Sequence, residues 1–349
     1  MKDDFTAVIA EHIGKYPCME PQDLGKLAYQ SEFGPEHLIA DRQQAIDFLE
    51  KEWDNLPPDS TPHMPEAIGG GLCRFPLSAC RLSDEIDLLA DLFILTARLH
   101  HGSREGLAEK IKQLEQTLIP GMREWLEEWK RQQCPPVHHS RAYNAAYQPH
   151  YRLVEKAYAD YFDIFLTIKR LLRERKQVFV AIDGRCGSGK SRLAGLLETL
   201  FSCQVVHMDD FYLPFCKRQE NWMDIPAGNM DLERVSREIL KPLKEGGQAV
   251  YRPYHCGKDE MGKAVLLEAD PLIVVEGSYS QHPVLKEAYD LRIFLTCSKE
   301  VQRKRLQERE GSHFPAFEEK WIPMEENYLR CYPVERDSQI VVDTSGFFE

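Results

Sequence analysis

The feature that most constrains this chain is a phosphate-binding loop motif. Residues 184–191 read Gly-Arg-Cys-Gly-Ser-Gly-Lys-Ser, a complete G-x-x-x-x-G-K-[ST] pattern that follows the apolar run 178–182 and precedes an amphipathic helical pattern. Glycines let backbone N–H groups converge on phosphate oxygens, and the helix start adds the positive end of its dipole. The motif predicts that a strand, a loop and a helix bind a nucleoside triphosphate. The alternative is a glycine-rich turn that holds no ligand.

The polar residues of this loop have separate predicted roles. Lys190 would reach the β- and γ-phosphates, and the Ser191 hydroxyl would ligate Mg²⁺. The remaining predicted nucleotide contacts come from Gly184, Arg185, Cys186, Gly187, Ser188 and Gly189. The predicted cofactors are therefore ATP and Mg²⁺.

Bulk properties narrow the class of protein. A chain of 349 residues is longer than a single hydrophobic core usually accommodates, so its length predicts two domains. The net charge of −12 argues against a nucleic-acid partner, and no apolar run is long enough for a membrane span. The ten cysteines are scattered without a C-x-x-C pair, which favours reduced thiols. We therefore expect a cytoplasmic protein with no nucleic-acid or membrane partner.

The first half of the chain has mainly helical patterns. Ser83 and Ser103 are candidate helix caps, and loops are predicted at 57–62 and 69–71. A long helical pattern at 151–175 leads directly into the strand before the phosphate loop. We predict a mainly α-helical domain of unknown role at 1–150, a connecting helix at 151–176 and a nucleotide-binding domain at 177–349.

The second half alternates strand and helix patterns. Predicted strands lie at 178–183, 204–208, 272–276, 291–296 and 339–343, and predicted helices at 190–201, 232–244, 299–310 and 317–329. Such alternation is typical of an α/β fold with a parallel sheet and helices on both faces, here a P-loop NTPase sheet. Ligands of these folds bind beyond the carboxyl ends of the strands.

Two acids and two aromatic residues follow the second predicted strand. Asp209 or Asp210 could accept a proton from a phosphoryl acceptor, and Phe211 and Tyr212 could form a wall of its pocket. A turn cap formed by either acid is the alternative.

Two further segments carry candidate site residues. The apolar strand pattern 272–276 ends in Glu276, whose carboxylate could hold Mg²⁺ directly or through water. Arg305 and Arg309 are spaced to share one face of a basic helix and could close over the phosphates. A solvated basic face is the alternative for both arginines.

Together these segments resemble the uridine kinase and phosphoribulokinase group of P-loop kinases over about residues 176–345. The matching segments, in the same order and spacing, are 184–191, 209–212 (D-x-F-Y in that group), 229–231, 253–254 and 275–277. The resemblance implies that Asp209 is the acceptor-side base and Glu276 the acid on the Mg²⁺ side. It also implies that Lys304 and Arg305 belong to a lid, and that Tyr254 and His255 lie in the acceptor region.

The sequence also departs from that group. Uridine kinases usually carry Tyr-Asp-Phe where this chain has Tyr254-His255-Cys256, and the register of the lid arginines is altered around 308–311. The resemblance therefore implies a phosphotransferase with an alcohol acceptor without specifying uridine. Lys190, Asp209 and Arg305 would be its catalytic residues, and the acceptor a nucleoside-like or other polyol metabolite. The alternative is a P-loop ATPase switch whose helical domain binds a partner protein.

The N-terminal half lies outside the resemblance. Tyr143, Tyr147 and Tyr151 recur at helical spacing, which favours a packing stripe over a ligand site. His138 and His139 are adjacent and could not both face one metal ion from a helix, so we predict no metal site there.

Overall fold

The computed structural model describes residues 5–35, 42–57 and 63–347, and most of the predicted loop at 57–62 lies outside them. The chain forms two compact units, Met1–Phe162 and Asp163–Glu349. The helices of the first unit are α1 Phe5–Lys15, α2 Pro21–Phe33, α3 Arg42–Asp54, α4 Ser83–Leu99, α5 Arg104–Leu114, α6 Met122–Arg131, α7 Arg141–Tyr147 and α8 Lys156–Asp160. Its strands are β1 Glu66–Gly69, β2 Leu72–Pro76 and β3 Tyr151–Glu155. The mainly helical character predicted for this half is confirmed.

A three-stranded antiparallel sheet accompanies these helices, with the order β1-β2-β3. The glycines at 69–71 form the turn between β1 and β2. Gly70 has a φ of 65°, and a Cβ there would lie 2.0 Å from the Ser31 carbonyl oxygen, so only glycine fits. The sequence predicts this turn only as a loop. The turn joins β1 to β2, and β2 is the central strand because β3 pairs with its other edge.

The predicted continuous helix at 151–176 is wrong in its first residues. Gln148 has a φ of 43°, and β3 then runs as an extended strand beside β2. The reason is tertiary: the free edge of the β1–β2 hairpin offers unpaired N–H and C=O groups, and β3 satisfies them. The rest of the segment is helical, as α8 and then α9 (Phe162–Glu174).

The second unit contains the predicted α/β fold. Its strands are β4 Val178–Gly184, β5 Gln204–His207, β6 Ala249–Tyr251, β7 Tyr254–His255, β8 Glu260–Met261, β9 Val265–Leu267, β10 Leu272–Glu276, β11 Leu291–Thr296 and β12 Ile340–Asp343. Its other helices are α10 Lys190–Phe201, α11 Leu232–Arg234, α12 Lys241–Lys244, α13 Lys299–Glu310, α14 Phe314–Ala316, α15 Ile322–Cys331 and α16 Val334–Asp337.

Five of these strands form one parallel sheet with the order β12-β11-β4-β10-β5. Every residue of β4 and β10 is buried, as expected for central strands covered on both faces. The registers align Glu276 with Ile182 of β4 and with His207 of β5. The carboxyl ends of the three strands therefore meet at one edge, and the predicted fold class is confirmed.

The predicted helices at 232–244 and 317–329 are interrupted. Val235–Leu240 and Phe317–Trp321 adopt π-helical geometry between short α-helical pieces. Two small antiparallel pairs, β6–β9 and β7–β8, also fall between the main strands. Within 5–35, 42–57 and 63–347, no helix combines the length and apolar character that crossing a membrane requires.

Candidate nucleotide and acceptor site

The phosphate loop lies between β4, which ends at Gly184, and α10, which begins at Lys190. Gly184 has a φ of 141°, and a Cβ there would come within 1.9 Å of the Leu295 carbonyl oxygen of β11. A side chain at this position would push the loop off the sheet edge. The Lys190 ammonium donates to the carbonyl oxygens of Gly184 and Arg185, at 2.7 Å and 3.1 Å. These two hydrogen bonds hold the Lys190 side chain against the phosphate loop, as the motif predicts.

Hydrogen bonds between polar side chains connect the phosphate loop to the neighbouring strands β10 and β5. The Ser191 hydroxyl donates to the Glu276 carboxylate at 3.2 Å, and Nδ1 of His207 lies 2.6 Å from Oε1 of Glu276. The contact follows from topology, because β10 and β5 end beside the helix that begins at the loop. His207 is a site residue that the sequence analysis did not assign.

The oxygen atoms at this point fit a magnesium ion. Mg²⁺ prefers hard oxygen ligands and keeps several waters, so one hydroxyl and one carboxylate suffice beside substrate phosphates. Ser191 and Glu276 provide that pair. Within the described part of the chain, no three His, Cys, Asp or Glu side chains converge to form a metal cluster. These two oxygen ligands would hold Mg²⁺ only together with phosphate oxygens and water.

His207 predicts a pH dependence for magnesium binding. Its hydrogen bond to Glu276 raises the pKa of His207 above 6.5, outweighing the opposite effect of burial. The protonated imidazole competes with Mg²⁺ for the carboxylate, so Mg²⁺ affinity should rise as pH increases through this raised pKa. The rise cannot exceed about tenfold per pH unit for one proton. Titrating Mg²⁺ against the nucleotide complex between about pH 6 and about pH 8 measures it.

Two variants separate this competition from a general effect. His207→Asn should flatten the pH profile while keeping Mg²⁺ binding, whereas Glu276→Gln should weaken Mg²⁺ binding at every pH. An unchanged slope in His207→Asn would show that another group titrates.

Asp209 lies in the same cavity as the phosphate loop. This cavity, of about 500 Å³, is lined by Lys190, Ser191, Asp209, Tyr212 and Glu276 among others. The Tyr212 hydroxyl donates to Oδ1 of Asp209 at 2.8 Å. Asp210 is directed elsewhere, since its Oδ2 accepts a hydrogen bond from the Tyr251 hydroxyl at 2.9 Å. Of the two adjacent acids, the structure brings Asp209 to the loop.

A buried acid holds this edge of the sheet together. Asp183 of β4 accepts backbone hydrogen bonds from Gly184 at 2.7 Å and Gln281 at 2.9 Å, and one from the Tyr328 hydroxyl at 2.9 Å. Burial raises the pKa of Asp183 to about 6, so the carboxyl is ionised at neutral pH. Only the ionised form accepts from all these donors, and it fixes the segment after Glu276 against the loop.

Asp183→Asn should destabilise the chain by about 1.5–3 kcal/mol, because an amide N–H₂ would face donors that now share a carboxylate. Urea unfolding of the full chain measures this loss. Asp210→Asn is the matched control, since the structure gives that carboxylate the Tyr251 hydroxyl at a partly buried site. Equal losses of unfolding free energy in the two variants would mean that the Asp183 hydrogen bonds stabilise the chain no more than the single hydrogen bond of Asp210.

The basic residues predicted for the site have different surroundings. The Arg305 guanidinium lines the cavity but donates to the carbonyl oxygens of Gly187, Thr344 and Phe347 at 3.3, 2.6 and 2.8 Å. It therefore ties the loop to the C-terminal segment, which differs from a lid arm that closes over phosphates. Its predicted catalytic role stays a prediction. Arg309 also lines the cavity; its guanidinium pairs with Glu310 at 2.6 Å, and its side chain is 57% exposed.

Some predicted residues are not brought to the cavity. Arg185 bonds Glu326 at 2.7 Å instead of facing the loop interior. Phe211 is fully buried in the core against Tyr251, because the turn after β5 directs it under the sheet. The Tyr254 hydroxyl bonds Asp259 in the β7–β8 hairpin.

His255 is exposed in the same hairpin. Neither hairpin residue is among those that line the cavity. Phe211 is therefore not a wall of this cavity, whereas the acceptor contacts predicted for Tyr254 and His255 stay predictions; Tyr212 is the predicted aromatic residue that lines the cavity.

Two further cavity residues had no assigned role in the sequence analysis. Glu325 of α15 is buried and accepts a hydrogen bond from the Cys186 backbone N–H at 2.8 Å and another from the Ser278 hydroxyl. Asn229 is 1% exposed, and among the described residues neither its amide oxygen nor its amide nitrogen has a hydrogen-bond partner. Asn229 was visible as part of a motif, whereas no local signal marks Glu325.

The central strand, the loop after it and the carboxylate at the end of the adjacent strand define a P-loop nucleoside-triphosphate-binding fold. No protein family and no curated protein matches the sequence.

Solved structures do resemble it. One is a "possible uridine kinase" from Bacillus stearothermophilus, at 20% identity over 52% of this chain and 100% of that chain, with a TM-score of 0.40. Another is phosphoribulokinase from Rhodobacter spheroides, at 12% identity over 48% and 70% of the two chains, with a TM-score of 0.37.

A third is a provisionally assigned fructose transport system kinase from Silicibacter sp. TM1040, at 19% identity over 50% of this chain and 97% of that chain, with a TM-score of 0.42. At such identities the similarity is one of fold alone.

Proposed function

We propose that this protein is an ATP- and Mg²⁺-dependent kinase that transfers the γ-phosphoryl group to a hydroxyl of a small molecule. The observation that supports this most is the position of Asp209. Its carboxylate shares one cavity with Lys190 and Ser191. An acid beside the phosphate loop is what a kinase needs to orient and deprotonate an acceptor hydroxyl.

The cavity residues suggest how the transfer would proceed. Ser191 and Glu276 would hold Mg²⁺, which supplies charge neutralisation at the phosphates when bound. Lys190, and Arg309 at the rim, would add positive charge as the phosphoryl group leaves its donor. Asp209, held by Tyr212, would accept the proton of the attacking hydroxyl.

The acceptor we propose is a nucleoside-like molecule or another polyol. The Asn229 amide offers a donor and an acceptor side by side, which complements a pair of hydroxyls or the edge of a base. Tyr212, Phe317 and Trp321 give the cavity aromatic walls against which a ring could pack.

The experiment that tests this is ADP release from the full chain with ATP, Mg²⁺ and a panel of nucleosides, sugars and other polyols. A kinase should release ADP much faster with one acceptor class than without acceptor. The same slow release with every compound would instead support the ATPase switch, which needs no acceptor. Mass spectrometry of the accepted compound confirms that a phosphoryl group has been added.

A further inference from the structure

The N-terminal unit contains a cluster of buried and partly buried polar side chains that the kinase chemistry does not use. We call it the Arg74 cluster: Asp23, Gln30, Glu66, Arg74, His139 and Tyr151. Its members come from α2, the three strands and the segment before α7. Burying so many polar groups in a small unit costs free energy unless each is satisfied. Their arrangement therefore calls for a physical reason.

Arg74 occupies the centre of this cluster. It lies on the central strand β2 and is 3% exposed. Nε and Nη2 donate to Oε1 of Gln30 at 3.2 and 2.9 Å, and the guanidinium stacks on the Tyr151 ring at 4.9 Å. Among the described residues, no acceptor lies within hydrogen-bonding distance of Nη1. A buried cation thus keeps one donor unused.

Glu66 does not supply the missing acceptor. Its Oε2 is 3.9 Å from Nη1 of Arg74, too far for a hydrogen bond. Its carboxylate is instead held by Lys15 Nζ at 2.5 Å and the Tyr16 hydroxyl at 2.9 Å. Burial would raise the pKa of Glu66, but its contacts with His12 and Lys15 outweigh burial and lower the pKa to about 2. Counting the cations Arg74, Lys15 and Lys26 against the carboxylates of Glu66 and Asp23 leaves one positive charge.

The remaining members hold Arg74 in place. Nδ1 of His139 lies 2.9 Å from Asp23, and Nε2 lies 2.8 Å from the Tyr151 hydroxyl. Burial lowers the pKa of His139 to about 4, so the ring is neutral at pH 7. Its single proton must point at the Asp23 carboxylate, which can only accept, and Nε2 therefore accepts from Tyr151.

Gln30 completes this arrangement. Its amide nitrogen donates to the Tyr151 hydroxyl at 3.1 Å, while its oxygen accepts from Arg74. Gln30 thereby fixes one edge of the Arg74 guanidinium, and the Tyr151 ring fixes one of its faces. These oriented groups hold the guanidinium in place and so preorganise Nη1 of Arg74, the donor for which they provide no acceptor.

A cavity of about 390 Å³ borders the Arg74 cluster. It is lined by Arg74 and Glu66 and by the rings of Tyr16, Tyr143, Tyr147 and Tyr151. This volume lies in the range of pockets that hold small molecules. The tyrosine rings at 16, 143 and 147 pack against one another at 4.8–5.3 Å, which gives the cavity an aromatic wall. The predicted packing stripe of tyrosines thus also borders a cavity.

We propose that the N-terminal unit holds a second small-molecule site, in which Nη1 of Arg74 binds the oxyanion of a ligand whose planar ring packs on the tyrosines. The oxyanion is a carboxylate or a phosphate monoester, since both accept from a guanidinium in its plane. One excess positive charge and one unused donor match a ligand with a single anionic group. This proposal does not depend on the function of the phosphate loop.

Calorimetric titration of the full chain with benzoate and with phenyl phosphate tests the proposal. The Lys190→Ala background keeps phosphate probes from the phosphate loop. At least one probe should bind with a dissociation constant in the millimolar range or below. Tighter binding of benzoate assigns a carboxylate ligand, and tighter binding of phenyl phosphate a phosphate monoester. If neither probe binds, the proposal is wrong.

Two variants with opposite expected signs make the test specific. Arg74→Gln should weaken probe binding at least about tenfold, because the charged donor is lost. Glu66→Gln should tighten it severalfold, because it removes a negative charge 3.9 Å from Nη1. Weaker binding in both variants would indicate an ion pair that only stabilises the fold.

Two controls keep the result interpretable. The double variant Arg74→Gln with Glu66→Gln removes one charge of each sign, so it keeps the net charge of the cluster if Arg74→Gln alone fails to fold. It should also fail to bind the probe. Acetate is the ring-free control, and its binding as tightly as benzoate would overturn the role of the tyrosines.

Discussion

Asp209→Asn should reduce acceptor phosphorylation by roughly two to four orders of magnitude, the usual range for a lost general base. The substitution keeps the size of the side chain and the hydrogen bond from Tyr212, but it removes the charge that would accept the acceptor proton. ATP affinity should stay within a few-fold, because in the proposed function the phosphates bind to the loop and not to Asp209. Initial rates with the acceptor found by the panel, and nucleotide titration of the same sample, measure both quantities.

Asp210→Asn is the matched control for this result. Asp210 is the next residue in the chain, yet its carboxylate bonds the Tyr251 hydroxyl. It should lower phosphorylation only slightly. Equal small effects from both substitutions, with an acceptor in hand, would move the base elsewhere. His207, which contacts Glu276, would then be tested before the exposed His255.

Lys190→Ala should reduce ATP turnover at least about a hundredfold, since a cation that stabilises charge on transferring phosphoryl groups is removed. The Lys190 ammonium now bonds two loop carbonyls, so its loss affects the loop and leaves the sheet in place. We expect little change in unfolding free energy. Turnover, nucleotide affinity and urea unfolding of one preparation check all three expectations.

An exposed lysine outside the cavity, Lys217, provides the control for this substitution. Lys217→Ala should leave both turnover and nucleotide affinity unchanged. Turnover of Lys190→Ala at the wild-type rate would remove the loop from the mechanism altogether. The Lys190 result is expected for a kinase and for a switch alike, whereas the Asp209 result is expected only for a kinase.

Much of the fold of the second unit is predictable because its signals are local. The five main strands are found within about two residues of their predicted ends, and α10 and α13 begin and end where predicted. These segments are apolar runs or amphipathic patterns that carry their own information about burial. The two interrupted helices are the exception, since their π-helical turns depend on packing.

The site was only partly predictable. The phosphate loop follows β4, and Glu276 is the last residue of β10. Because β4 and β10 are adjacent parallel strands, the loop and Glu276 meet at the same edge of the sheet. Phe211 and Tyr212 are neighbours of similar character, and only the turn after β5 decides that Phe211 enters the core while Tyr212 faces the cavity. No pattern in the chain distinguishes these two directions.

Arg305 shows the same limit for a charged side chain. Its spacing from Arg309 predicts a shared helix face, but its partners are carbonyls at 187, 344 and 347 that lie far from it in the chain. Glu325 is placed on the loop by a helix well over a hundred residues away. Contacts between distant segments depend on how the elements pack and have no local signal.

From the sequence alone one can predict a phosphate-binding loop between a strand and a helix, a parallel sheet around it and a mainly helical first half. Each of these is predicted by motifs and hydrophobic patterns that lie within short stretches of the chain. The folded structure adds that β3 completes an antiparallel sheet, that Asp209 and not Asp210 faces the loop, and that Arg74 is buried with one donor that no described residue satisfies. Those outcomes depend on hydrogen-bond partners supplied by distant strands and helices, which exist only once the chain has folded.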